Sequence, residues 1–121
     1  MAQHHHELDM KDPKNKNEHH PGHPHPKVSV RHQDTITWFM NEDFLVIGIE
    51  QTDDDPTRPK DVSKPPNPFY RPLPFDARGG TDGKFRVNSG PAVSAAAGQH
   101  YKASFKVKSS GEIIDPDFVV D

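Results

Sequence analysis

Proline is the residue that most restricts how this chain can fold. Thirteen of the 121 residues are proline, and seven of these lie in one stretch, residues 51–83, here called the proline-rich loop. A proline fixes φ and has no backbone N–H, so it interrupts helices and central strands alike. The sequence therefore predicts a long irregular connection, and such a connection inside a compact domain is often functional.

On both sides of this loop, apolar residues recur at every second position, which is typical of strands with one buried face. The clearest alternation runs through residues 35–40 and 101–107. A continuous apolar run from Phe44 to Ile49 predicts a strand that is buried on both faces. Residues 28–30, 85–87 and 113–120 complete the set of predicted strands. Short strands separated by turn residues predict an all-β sandwich over residues 27–121.

The first 26 residues have a different composition and are expected to form an extended tail. They hold seven of the nine histidines, and their only apolar residues are Met1, Ala2, Leu8 and Met10. Such a segment buries too little apolar area to offset its ordering entropy. We therefore expect the core to come from residue 27 onward.

Charge and composition exclude several classes of function. The net charge of −3 is spread in mixed signs, so no basic surface for nucleic acid is expected. No apolar run approaches the roughly 20 residues of a membrane span, and the N-terminus lacks the apolar region of a secretory signal. The chain as written is therefore expected to be cytoplasmic, unless a signal peptide has been removed. It contains no cysteine, which excludes disulfides and thiolate metal sites.

Three short motifs stand out in the predicted sandwich. The first two are Asp34-Thr35-Ile36-Thr37-Trp38 and Asn41-Glu42-Asp43-Phe44, and the third is Ala97-Gly98-Gln99-His100-Tyr101. Together they resemble motifs of the cupredoxin family. The resemblance covers most of residues 27–121 and implies a Greek-key β-sandwich. In that family a type 1 copper ion is bound by two histidines, a cysteine and usually a methionine.

None of those copper ligands is present at the matching positions. The resemblance places the first histidine at Leu45 or Val46, the cysteine at Phe105, and the other two ligands near Lys108 and Ile113. We therefore expect no cofactor in the sandwich and no blue-copper electron transfer. In place of the copper site we expect ordinary core, in which Leu45 packs against Phe105.

The tail carries the only candidate metal ligands. Imidazoles bind Cu, Ni and Zn, and a flexible chain could gather several of them around one ion. A mature N-terminus at Ala2 would add a square-planar nitrogen site that ends at His4. The candidate metal ligands are His4, His19, His20, His23 and His25. Alternatively, these residues only keep the tail extended, or His4-His5-His6 is left from a purification tag.

Other polar residues are interpreted as structural. His100 and His32 are expected at the surface, and Asp53-Asp54-Asp55 as a solvated turn. Asp115 and Asp117 are expected to turn the chain and to protect a sheet edge. No nucleophile–base pattern or phosphate-binding loop is present, so we predict that the chain is not an enzyme.

Aromatic residues in the proline-rich loop suggest a contact role. Phe69, Tyr70, Leu73 and Phe75 are expected to hold the loop against the sandwich. A proline-rich stretch of this kind can equally reach a partner. The candidate partner-binding residues are Phe69, Tyr70, Arg71 and Leu73. The leading hypothesis is a non-catalytic binding or structural module, such as an accessory subunit of a larger assembly, that binds a protein partner or a second copy of itself. The alternative hypothesis is metal binding or buffering by the tail.

The metal hypothesis predicts heat on calorimetric titration of the full chain with Cu(II), Ni(II) or Zn(II) at micromolar concentration. Four imidazoles lie within residues 19–25, so their replacement by alanine should remove most of that heat. Absence of heat from the unmodified chain, or equal heat after deletion of residues 1–26, would exclude the hypothesis.

Overall fold

The computed structural model describes residues 5–10, 26–52 and 56–121. This part of the chain forms ten β-strands and one short 3-10 turn at Ser94–Ala96, and it contains no α-helix. The strands are β1 (His5–Asp9), β2 (Lys27–Val28), β3 (Thr35–Met40), β4 (Phe44–Gln51), β5 (Phe75–Asp76), β6 (Arg78–Gly79), β7 (Phe85–Asn88), β8 (Gln99–Val107), β9 (Ile113–Ile114) and β10 (Asp117–Val120). The all-β prediction is confirmed.

The strands form two mixed sheets. One sheet has the order β1-β3-β7-β6, and the other has the order β2-β10-β8-β4-β5, with β9 paired to β8. The pairs β1–β3 and β2–β10 are parallel, whereas the other pairs are antiparallel. The predicted last strand, residues 113–120, is divided into β9 and β10. Pro116 lies between them, where it cannot donate a ladder hydrogen bond.

The core lies between the two sheets and is built around Trp38. Its indole contacts Phe105 and Phe118 of the facing sheet edge to face, with ring centroids 5.1 and 6.2 Å apart. Alternate residues of β3 and β8 point into this space, as the sequence predicted. They are Ile36, Trp38 and Met40 on β3, and Tyr101, Ala103, Phe105 and Val107 on β8.

The prediction that β4 is buried on both faces is wrong. Its residues alternate between buried and exposed, and the side chain of Ile47 is 45% exposed. A β-bulge between Val46 and Gly48 shifts the register, which places the extra residue Ile47 at the surface. The apolar run from Phe44 to Ile49 is continuous because the outer face of β4 also carries apolar residues.

The expected contact between Leu45 and Phe105 is replaced by another. Phe105 is fully buried, as predicted, but its partner across the strands is Val46, and its ring lies 5.6 Å from that of Phe44. Leu45 is paired with Lys106, whose side chain is exposed. The two faces of a strand alternate, so Leu45 lies on the outer face and Val46 on the inner one.

The expectation that the core begins at residue 27 is also wrong. β1 runs parallel to β3, and Met10 immediately after it is fully buried. The Met10 N–H donates to the Phe39 carbonyl at 2.8 Å, which holds this residue at the end of the sheet. Leu8 packs against the same core. Leu8 and Met10, with one residue between them, are therefore enough to attach β1 to the core.

The middle of the proline-rich loop, residues 56–74, is here called the proline-rich segment. It is docked on the sandwich through Phe69, which is 3% exposed and forms a β-bridge with Ala92. The Val93 N–H donates to the Pro68 carbonyl at 2.7 Å. The expected anchoring by Phe69 and Phe75 is therefore confirmed, and Leu73 also packs against the core. The expectation was wrong for Tyr70, whose side chain is 71% exposed.

Candidate binding surface

The outer face of β4 carries an open cleft of about 270 Å³. Its lining residues are Ile47, Gly48, Ile49, Glu50 and Ser104. Gly48 is the reason for the depression, because a Cβ atom built at this position would meet no atom within 4 Å. A glycine inside a strand often marks a site that another backbone or a ligand approaches closely.

A second cleft of about 350 Å³ lies at the end of the same strand. Its lining residues are Glu50, Gln51, Lys60, Asp61, Val62, Lys64 and Pro66. Glu50 lines both clefts, so they adjoin. We call the two together the β4 groove; strand β4 forms one wall and the proline-rich segment forms the other.

The side-chain amide of Gln51 holds the segment wall of the groove in place. Its Nε2 donates to the carbonyls of Asp61 and Lys64 at 2.7 and 3.3 Å, and its Oε1 accepts from the Asp61 N–H at 2.7 Å. The Tyr101 hydroxyl donates to the Pro65 carbonyl at 2.8 Å. These hydrogen bonds give partners to half-buried backbone groups of Asp61, Lys64 and Pro65. A proline-rich backbone cannot supply such partners by itself, because it forms no regular hydrogen-bonded structure.

The tip of this wall is a tight turn closed by Asp61. The Asp61 carboxylate accepts from the hydroxyl and the N–H of Ser63 at 2.6 and 2.9 Å. These hydrogen bonds lower the pKa of the Asp61 carboxyl, and the bond from the Ser63 hydroxyl has the largest effect. The ammonium of Lys64 donates to the Ala97 carbonyl at 3.2 Å. Val62 lies in the turn between these fixed residues with a fully exposed side chain.

The candidate partner-binding residues fall into two groups. Phe69 and Leu73 face the core, so Phe69 offers no side-chain surface to a partner. Tyr70 and Arg71 are exposed. Arg71 is held from both sides, because its guanidinium lies 4.9 Å from the centre of the Phe75 ring and donates to the Asn88 carbonyl at 2.8 Å. No local sequence pattern indicates that Ile47, Gly48, Glu50 and Val62 are surface residues of one groove.

His100, expected at the surface, and Asp117, expected to protect a sheet edge, are buried and paired. The His100 Nε2 lies 3.0 Å from the Asp117 Oδ2, and the side chains are 1% and 4% exposed. Alternation placed His100 on the outer face correctly, but the outer face of β8 is covered at this end, where Val119 is also buried. Asp117 does not protect an edge, because β10 lies between β2 and β8.

Several other charged side chains of the described residues form ion pairs at the surface. Arg86 binds Asp82, and this contact holds the pKa of the Asp82 carboxyl far below its usual range. Arg58 binds Asp121 with the two atoms 2.6 Å apart. Such exposed pairs add little to stability. His32, expected at the surface, is half-buried in the turn before β3.

The candidate metal ligands lie outside the described residues. They are His4, His19, His20, His23 and His25, and Asp53-Asp54-Asp55 lies outside as well. Within residues 5–10, 26–52 and 56–121, no three side chains of His, Asp or Glu come close enough together to hold a metal ion. Metal binding by the tail stays a prediction.

A comparison with models of known protein families finds no match, and neither do comparisons with curated proteins and with solved structures. In the described ranges, no helix has the length and apolar character needed to cross a membrane.

Tyr101 provides a test of how the segment closes over the sandwich. Burial raises the pKa of Tyr101 to about 12. Because the folded state keeps this proton when the unfolded chain has lost it, stability should fall as the pH rises from about 10 towards about 12. Urea unfolding between about pH 9 and pH 11 should show a steeper loss of unfolding free energy for the natural chain than for Tyr101→Phe. Tyr70→Phe, at an exposed tyrosine, is the control; a slope in Tyr101→Phe equal to that of the natural chain would contradict the burial of this hydroxyl.

Proposed function

We propose that the chain is a non-catalytic binding module, an accessory part of a larger assembly, and that the proline-rich segment is its contact element. One observation carries the proposal: the segment presents exposed apolar side chains on a backbone that is fixed by hydrogen bonds. Val62 and Tyr70 are the two anchors. Val62 is fully exposed in the Asp61 turn, and Tyr70 is 71% exposed beside the buried Phe69.

A fixed backbone matters because association must overcome the entropy lost on ordering. A loop that is already held in place loses little further freedom when a partner binds, so more of the contact energy appears as affinity. The Tyr70 N–H donates to the Pro91 carbonyl at 3.4 Å, and the next residue, Arg71, is held by Phe75 and Asn88. Tyrosine and arginine in such positions are frequent energetic centres of protein interfaces.

The chemistry of the groove favours binding over catalysis. Its charged side chains are Glu50, Lys60, Asp61 and Lys64. Asp61 and Lys64 already bind Ser63 and the Ala97 carbonyl. Among the described residues that line the β4 groove, no nucleophile lies within hydrogen-bond distance of a base.

The fold proposed with this function is a cupredoxin-like Greek-key sandwich without metal. Val46 and Phe105, at positions where the resemblance expects a histidine and the cysteine, are partners across β4 and β8. Both side chains are fully buried in the core. This placement supports the interpretation that apolar packing stands where that family binds copper.

The proposal is tested by capture of a partner from the native source on the immobilised full chain, followed by titration of the purified partner. The double variant Tyr70→Ser/Val62→Ser should bind the partner at least about tenfold more weakly, equivalent to about 1.4 kcal/mol. If the partner is a second copy, sedimentation equilibrium of the chain gives the same comparison.

The control is Ile113→Ser, which removes an apolar side chain that is 48% exposed and lies outside the segment. It should bind as the natural chain does. Equal binding by the double variant, or a strictly monomeric chain that captures no partner, would contradict the proposed function.

A further inference from the structure

We propose that the β4 groove receives an extended peptide segment of the partner, which adds as a strand to the outer edge of β4 between Ile47 and Glu50. The partner's peptide has an apolar side chain over Gly48, a basic side chain beside Glu50 and an acidic side chain towards Lys60. The inference rests on the proposed function, because it assigns the partner a chemical class.

Within the described residues, most of the outer edge of β4 is unpaired. β5 pairs with β4 only at Leu45 and Val46. Pro72 and Pro74 precede β5, and since proline has no backbone N–H they cannot extend that pairing. Over the described part of the chain, the strand from Ile47 to Glu50 is paired with β8 alone.

The direction of the backbone groups follows from the β8 ladder. Ile49 lies opposite Ala103, and the Ala103 N–H donates to the Pro116 carbonyl at 3.0 Å, away from β4. In an antiparallel ladder, the N–H and C=O of a residue point to the same side, and opposed residues either both face each other or both face away. Ile49 therefore directs its N–H and C=O to the open edge. An extended peptide satisfies such groups with its own backbone.

The open edge of β4 is short. Four residues, Ile47 to Glu50, span about 13 Å. The edge is bounded by β5 at one end and by the proline-rich segment, fixed on Gln51, at the other. An edge this short accommodates about four residues of one extended chain, whose flanking residues can turn away to solvent, whereas the long edge strand of a second folded copy would meet both boundaries.

The β4 groove has a depression at Gly48. The space above Gly48 is empty to 4 Å and forms the cleft of about 270 Å³. Ile47 beside it is 45% exposed. An apolar side chain of the added strand would fill this space and cover Ile47.

The charges that line the groove indicate the chemistry of the peptide. Glu50 is exposed and lines both clefts; Lys102 lies opposite it on β8, and on the open edge of β4 no described cation forms an ion pair with the Glu50 carboxylate. Lys60 is likewise exposed in the second cleft, and no described carboxylate pairs with its ammonium. Opposite charges across neighbouring strands attract, and like charges repel. The partner segment therefore carries a basic residue at Glu50 and an acidic one towards Lys60.

The experiment is selection of a displayed random dodecapeptide library on the full chain, followed by synthesis of the enriched peptide and measurement of its Kd by fluorescence anisotropy. Gly48→Val fills the cleft, and the new Cβ meets nothing, so urea unfolding should show no loss of stability. Affinity for the peptide should nevertheless fall at least about tenfold, the equivalent of about 1.4 kcal/mol. Glu50→Lys should weaken binding, whereas Glu112→Lys, an equal charge reversal on an exposed residue elsewhere, should not.

A second readout tests the strand itself. Amide hydrogen exchange at Ile49 should slow when the selected peptide binds, because its N–H gains an acceptor. Failure to enrich any peptide, equal affinity for Gly48→Val and the natural chain, or unchanged exchange at Ile49 would overturn the inference.

These outcomes separate the two proposals. If a native partner depends on Tyr70 and Val62 but no peptide depends on Gly48, strand addition is wrong and the proposed function stands. If peptides bind through Gly48 and Glu50 but no native partner depends on Tyr70 and Val62, the inference stands and the assigned contact element is wrong.

Discussion

The insertion of Phe69 into the core is the contact on which the rest of this structure depends. Its ring lies against Trp38, Phe75 and Phe118, with centroids 6.3, 6.4 and 5.4 Å apart. It thereby joins the proline-rich segment to both sheets. Burial of a phenylalanine side chain contributes about 2–3 kcal/mol by transfer from water, and its ring contacts add to that. A segment that cannot form regular structure is in this way held by its side chains.

Backbone hydrogen bonds complete this attachment. Gln51, Tyr101 and Val93 of the sandwich donate hydrogen bonds to backbone carbonyls of the proline-rich segment. The accepting carbonyls are those of Asp61, Lys64, Pro65 and Pro68. Prolines suit this arrangement, because they supply acceptors and lower the entropy of the unfolded chain. The segment can therefore carry exposed residues such as Val62 and Tyr70 in fixed positions. Both the contact element and the β4 groove depend on that rigidity.

Sequence patterns predicted the inner faces of the sandwich well. In β3 and β8, large apolar residues alternate with polar ones over six or more positions, so Trp38 and Phe105 could be assigned to the core. Phe69 and Phe75 could be assigned as anchors because large aromatic rings in a proline-rich stretch need somewhere to be buried. Met10 was missed because two apolar residues are too few to reveal a strand whose partner, β3, is far away in the sequence.

The outer faces could not be predicted in the same way. His100 and Lys106 both lie on the outward side of β8, and yet the histidine is buried and the lysine is exposed. Alternation tells which face a residue occupies, not whether another element covers that face. The β4 groove could not be predicted for the same reason. Docking of the proline-rich segment brings Val62 close to Gly48 and Glu50, and this long-range contact has no local sequence pattern.

The central claim is that the proline-rich segment is an integral part of the folded domain. Native-state amide hydrogen exchange tests it most directly, at Val93, which donates to the Pro68 carbonyl, and at Asp61, which donates to the Gln51 side chain. The account predicts that both amides are protected to within about tenfold of the Ala103 amide in β8. Exchange of Val93 and Asp61 at the rate of an unstructured peptide, with Ala103 still protected, would contradict it.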